Sequence, residues 1–106
     1  MKSIQNIISK LDLKAHPEGG YFKETYRSTG IIASESLDDR YKGNRNYSTC
    51  IYFLLTSDNF SAFHRIKQDE IWHFYEGDPL QITAISSKGM LTKTLVGNSP
   101  EKGERY

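Results

Sequence analysis

Ser61-Ala62-Phe63-His64-Arg65-Ile66-Lys67-Gln68-Asp69-Glu70-Ile71-Trp72-His73-Phe74-Tyr75-Glu76-Gly77 carries the strongest architectural signal in the chain. Two runs rich in aromatic and branched aliphatic residues, 60–66 and 70–75, flank a polar bend at Lys67-Gln68, the pattern of two strands and a connection. His64 stands near the end of the first run and Glu70 opens the second, so a hairpin would carry both side chains to one end of a sheet. Side chains alternate along a strand. If Glu70 points inward, Trp72 and Phe74 point inward with it, and His73 and Tyr75 face the other way.

Downstream, Gly77-Asp78-Pro79 reads as a turn, 80–85 as a strand, Ser86 to Gly89 as a hairpin loop and 90–96 as its return strand. The polar tail 97–106 reads as loose. Upstream, 48–55 is apolar on both faces and is expected to be buried on both, with Cys50 as a small core residue. Residues 28–47 read as a long loop anchored by Ile31, Ile32 and Leu37. Tyr21–Arg27 reads as a strand with Phe22, Glu24 and Tyr26 on one face and Tyr21, Lys23, Thr25 and Arg27 on the other. His16-Pro17-Glu18-Gly19-Gly20 before it cannot continue a helix and reads as a turn. Ser3 caps a short helix whose apolar residues Ile4, Ile7, Ile8 and Leu11 share one face. Short strands with frequent turn signals predict an all-β sandwich or barrel, here one domain over 1–106.

With 106 residues, the chain suits one small core. Aromatics make up 12% of it, which argues against disorder. A net charge of +1 offers no field to hold nucleic acid or an anionic membrane. The single cysteine excludes an intrachain disulfide. The N-terminal stretch from Met1 to Ile8 is broken by polar residues and lacks a signal-peptide core. No run approaches the ~20 apolar residues of a membrane helix. These features predict a cytoplasmic protein.

Several ordered blocks carry a resemblance. They are His16-Pro17-Glu18-Gly19-Gly20-Tyr21-Phe22 with Glu24-Thr25-Tyr26-Arg27-Ser28, then Ile51-Tyr52-Phe53-Leu54-Leu55, then Ser61 to Ile66, then Asp69 to Leu80. Together they resemble a cupin subfamily of largely undefined function. The resemblance implies a double-stranded β-helix, a jelly-roll-like barrel, usually dimeric and similar in shape to the sugar-nucleotide 3,5-epimerases acting on dTDP-4-dehydro-6-deoxyglucose. Members of the subfamily continue for several more strands, so the expected barrel is truncated and open, with a short N-terminal helix. His64, Glu70 and Gly77 also resemble the first cupin motif, in which two His and a Glu bind metal. Here Ile66 stands at the second His position, and Asp58 or Asn59 precedes the strand where a Gly is usual.

Three functional readings follow. The leading one is a small-molecule-binding domain with His64 and Glu70 at the mouth of a pocket lined by Tyr52, Phe63, Arg65, Trp72 and Phe74. The second is a sugar-nucleotide or keto-acid isomerase or epimerase with His64 as general base, its ring oriented by Glu70 or Glu18. In the epimerases a His matching His64 is the base, but a Lys stands at the Glu70 position and the partnering Tyr lies beyond the matched region. The third is a degenerate cupin kept for dimer assembly. His64 and Glu70 are weak candidates for a divalent metal, because a stable site needs about three protein ligands; no metal or other cofactor is expected. Arg27, Arg45 and Arg65 are candidate anion contacts but read better as solvated surface. The expected partners are a small-molecule ligand and a second copy, with Tyr21–Arg27 as an exchangeable strand.

Overall fold

The computed structural model describes residues 3–106; Met1 and Lys2, part of the N-terminal stretch read above, lie outside them. The chain divides into two compact units, one ending at Lys67 and one spanning Gln68–Tyr106. Eight strands and one short helix make up most of the regular structure among the described residues, in keeping with the all-β expectation.

In the first unit, helix α1 (Ile4–Lys10) starts where the sequence places it. The Ser3 hydroxyl accepts from the Asn6 N–H at 3.1 Å, satisfying one of the free donors of the first turn. Ile7 and Ile8 are half-buried, and the helix ends before Leu13, the buried aliphatic residue of this unit. Strand β1 (Lys14–Ala15) then pairs antiparallel with β2 (Tyr21–Arg27). The connection is the turn His16–Gly20, closed by His16 N–H to the Gly20 carbonyl at 2.8 Å and Gly19 N–H to the His16 carbonyl at 3.1 Å. Its glycines are required. Gly19 (φ +112°) and Gly20 (φ +79°) hold backbone that other residues rarely adopt. A Cβ on Gly19 would collide with the Phe60 carbonyl, and one on Gly20 would lie 2.8 Å from the Leu54 carbonyl.

Strand β2 continues into an antiparallel ladder with a strand at Thr49–Leu54, and a bulge at Thr25 interrupts it. This corrects the face assignment made from alternation. Register places Phe22 opposite Phe53 and Glu24 opposite Ile51, but then Tyr26 opposite Cys50 and Arg27 opposite Thr49. The extra residue moves Tyr26 to the other face and brings Arg27 to that of Glu24. The Arg27 guanidinium accordingly grips the Glu24 carboxylate at 2.6 and 3.2 Å, a contact that unbroken alternation forbids.

Residues 28–48, read from sequence as a long loop, form an arm closed at its base. Strands β3 (Ile31–Ile32) and β4 (Arg45–Asn46) pair antiparallel, making the Thr49–Leu54 strand β5. The buried Ser28 clamps the base: its N–H donates to the Ser48 carbonyl at 3.0 Å, its hydroxyl accepts from the Ser48 N–H at 3.2 Å, and its carbonyl accepts from Asn46 Nδ2 at 2.7 Å. The Tyr47 ring lies against Gly30, where no Cβ fits.

In the second unit, β6 (Leu80–Ile85) and β7 (Leu91–Val96) form the expected hairpin in unbroken register. The tail is not loose. After a short 3₁₀ turn at Pro100–Lys102, strand β8 (Glu104–Arg105) lies parallel to β7. Glu104 is buried and its Oε1 accepts the Ser99 N–H at 3.1 Å, while Gly97 leaves room for the carboxylate. The buried aliphatic residue here is Val96.

Two further expectations are corrected. Cys50 is exposed, and Thr49 to Tyr52 are exposed rather than buried on both faces. Strand β5 is the outer member of the order β1-β2-β5, and apolar composition buries a strand only where a layer covers it. Residues 60–66 and 70–75 form no ladder among the described residues, although bends occur at Lys67-Gln68 and at 76–78, where the sequence places the turns. A strand needs a hydrogen-bonded neighbour; composition supplies only the tendency.

Candidate functional site

His64 lies on the extended run that follows β5. The run is tied to the turn before β2: the Ala62 N–H donates to the Glu18 carbonyl at 2.8 Å. The Ala62 carbonyl in turn lies 2.7 Å from His64 Nδ1. A carbonyl can only accept, so this contact requires the proton on Nδ1. The neutral ring then carries its lone pair on Nε2, the arrangement of an imidazole oriented to act as a base. His64 is exposed, so that lone pair is open to solvent.

The turn itself holds a second imidazole that sequence reasoning did not single out. His16 is half-buried, with the edges of Phe22 and Phe53 against its ring at centroid distances of 5.1 and 5.7 Å. Its Nδ1 accepts the Glu18 N–H at 3.1 Å and lies 3.2 Å from Glu18 Oε2. The Glu18 carboxylate, read as a possible orienter of His64, is engaged by His16 instead. The sequence places both residues beside Pro17, but their pairing depends on how the turn folds back.

In the second unit, the Trp72 indole N–H donates to Glu70 Oε1 at 2.8 Å, which puts residues i and i+2 on one side of an extended backbone. Exposure follows the same period. Trp72 and Phe74 are half-buried, while Ile71 at 79% and Tyr75 at 74% stand in solvent beside an exposed His73. Alternation therefore holds here without a ladder. Of the other residues expected to line a pocket, Phe63 is 70% exposed, Arg65 is exposed, and Tyr52 is at the exposed margin on β5, opposite Lys23.

A shallow depression of the first unit lies away from His64's run, beside β1 and β2. It is open, has a volume of ≈ 250 Å³, and is lined by Asp12, Lys14, Phe22, Lys23 and Glu24. Its charges are spent on one another. Lys23 Nζ donates to Asp12 Oδ2 at 2.9 Å and Lys14 lies 3.7 Å from Oδ1, which together hold the Asp12 carboxyl below its ordinary range. The hydrogen bond from Arg27 likewise lowers Glu24, and the pairing raises Arg27. Neutralised pairs at a solvent-filled rim leave little to recognise a ligand. Of the other candidate anion contacts, Arg27 also donates to Asn46 Oδ1 at 2.9 Å, and the Arg45 guanidinium lies 5.6 Å from the Tyr41 ring centre.

The donor set does not suit a divalent metal. Ile66 offers no lone pair at the second His position of the motif, and among the described residues no three His, Cys, Asp or Glu side chains converge.

Comparison with known proteins agrees with the architecture. Residues 5–106 match the family model described as Cupin superfamily (DUF985). The chain is 35% identical over 108 aligned positions to uncharacterized protein YML079W of Saccharomyces cerevisiae, covering 96% of this chain and 53% of that one. It is similar to a hypothetical protein from Leishmania major, with a TM-score of 0.86 and 33% identity over 98% of this chain and 62% of that one. It is also similar to protein SO0799 from Shewanella oneidensis, with a TM-score of 0.83 and 36% identity over 99% and 61%. The chain thus spans about half the length of the curated relative.

Proposed function

Since the chain belongs to the cupin superfamily (DUF985), we propose that it is a small-molecule-binding cupin domain in which His64 presents a basic imidazole nitrogen to the ligand. The observation that carries this reading is the 2.7 Å contact between His64 Nδ1 and the Ala62 carbonyl on an exposed run. An exposed histidine left to solvent samples both tautomers and many rotamers. One pinned by its own backbone keeps a single lone pair aimed outward, which suits an acidic C–H, an O–H or a hydrated carbonyl group. In the second unit, the Glu70–Trp72 hydrogen bond orients an indole, a surface suited to a ring or an apolar ligand edge.

Keto-sugar nucleotides and small keto acids are the first ligands to test, by thermal shift on the protein and on His64→Ala. Binding raises the unfolding temperature of the native state. The expected result is a ligand-dependent rise in the parent that is lost in the variant. A rise equal in both removes His64 from the site, and no rise with any such ligand favours a domain kept for assembly.

The pinned tautomer also supports an isomerase or epimerase reading. Nε2 would take the proton from the carbon next to a carbonyl, the C–H electron pair would pass into an enolate, water would give a proton to the opposite face, and the Nε2 proton would pass to the hydroxide so formed through solvent. Exchange of that carbon-bound hydrogen for solvent deuterium tests this step. Assembly as a homodimer is part of the proposal, and sedimentation at micromolar concentration checks it: a monomer there removes it. A cytoplasmic location completes it. Among the described residues no helix is long and apolar enough to cross a membrane.

A further inference from the structure

His16 Nδ1 has two partners that it cannot satisfy together. As an acceptor it takes the Glu18 N–H at 3.1 Å, and this requires the nitrogen to be unprotonated. As a donor it pairs with Glu18 Oε2 at 3.2 Å, and this requires a proton on the same nitrogen. Gain of a proton from solvent therefore trades one bond for the other.

The trade falls on a residue that supports His64. The Glu18 carbonyl accepts the Ala62 N–H at 2.8 Å, and the Ala62 carbonyl holds His64 Nδ1 at 2.7 Å. Gly19, which follows, lies so close to the Phe60 carbonyl that no side chain fits between them. Turn and run have no slack at this point, so a shift of the Glu18 backbone passes to Ala62. Groups facing the His16 ring are few. Phe22 of β2 and Phe53 of β5 meet it edge-on. On the same sheet face by register, Lys14 of β1 lies beside Asp12, and Glu24 of β2 is held by Arg27. Glu18 is the ionisable group in direct contact with it.

We propose that His16 and Glu18 are positioning residues for His64, and that protonation of His16 releases the Glu18 amide and loosens the hold of the Ala62 carbonyl on the His64 ring. In the unprotonated state the Glu18 N–H is bonded to the His16 ring and His64 keeps its proton on Nδ1. In the protonated state Nδ1–H turns to the carboxylate, the Glu18 N–H is left to solvent, and the His64 tautomers mix. The inference rests on the reading of His64 as the polar group of the site, but its test needs no ligand. Failure of the coupling leaves the ligand experiment standing, and failure of ligand binding leaves the coupling measurable.

The experiment is nitrogen-resolved NMR of the imidazole rings and backbone amides of the whole chain across pH. The expected result is a step in the Ala62 amide and His64 ring signals that follows the gain of a proton by His16, as read from the His16 ring nitrogens themselves. His16→Phe keeps an aromatic ring against Phe22 and Phe53 and removes the nitrogen, so the step is lost. Glu18→Gln removes the anion but keeps the residue-18 N–H, which a protonated Nδ1 still cannot accept, so the step is retained. Absence of the step in the parent protein overturns the proposal, as does a step that survives in His16→Phe. If His16→Phe does not fold, the Glu18 amide of the parent decides: a signal that does not move as His16 gains its proton overturns the proposal.

Discussion

Residues 21–54 and residues 60–79 are both rich in aromatic and branched side chains, yet they end in different states. The first region contains an antiparallel ladder between β2 and β5 and an arm clamped by Ser28. The second keeps the bends and the alternation of side chains but has no ladder among the described residues. The direction of a side chain follows from the extended backbone itself, whereas a ladder also needs a neighbour in register. In the first unit, a glycine turn places such a neighbour beside β2. The run that carries His64 is tied instead by single bonds, the Ala62 N–H to the Glu18 carbonyl and, at its end, the Tyr41 hydroxyl to the Lys67 carbonyl.

The comparison breaks most readily at that turn. Gly19→Ala combines a positive φ with a collision at the Phe60 carbonyl, and a loss of about 3 kcal/mol is expected. Denaturant titration measures the loss, and hydrogen exchange at Ala62 should rise with it; exchange that stays slow would show that the run is held by something else. Glu104→Ala tests whether the tail is fixed by its one buried carboxylate. Leaving the Ser99 N–H without its acceptor should cost about 1–2 kcal/mol in the unit containing β6–β8, and an unchanged midpoint would mean that water replaces the carboxylate at no cost. Ser3→Ala removes the helix cap and should cost about 1 kcal/mol locally, read as faster amide exchange in α1 without a change in the ladder.

The smallest effect is electrostatic. Asp12 and Glu24 titrate below their ordinary range in the folded chain. Their pairs therefore stabilise it above the unfolded carboxylate values, and the gain is lost as pH falls through the lower folded values. Both lie at the surface, so the contribution is screened by salt. Unfolding temperature against pH should show a shallow decline in acid that flattens in Asp12→Asn and in high salt. A steep decline that salt leaves unchanged would show that these surface pairs are not its source.

Much of this architecture was legible in the sequence. Ser3 announced the helix, the paired glycines announced the turn, and Tyr21–Arg27 and Leu80–Ile85 carry their strand signal within their own residues. The bulge at Thr25 was not legible, because register depends on the partner strand. Nor was the order in the tail, where Glu104 is polar by composition and buried only by its bond to Ser99. Cys50 was read as core from its apolar neighbours, but burial is a property of layers. At the candidate site, the shared direction of Glu70, Trp72 and Phe74 followed from alternation. The partner of Glu18 did not, because it depends on how a proline turn folds back.

The most direct measurement is the tautomer of His64 in the neutral protein, read from the nitrogen shifts and coupling pattern of its ring. The account predicts a protonated Nδ1 and a bare Nε2, held in one form by the Ala62 carbonyl. A proton on Nε2, or an even mixture of the two forms, would contradict it.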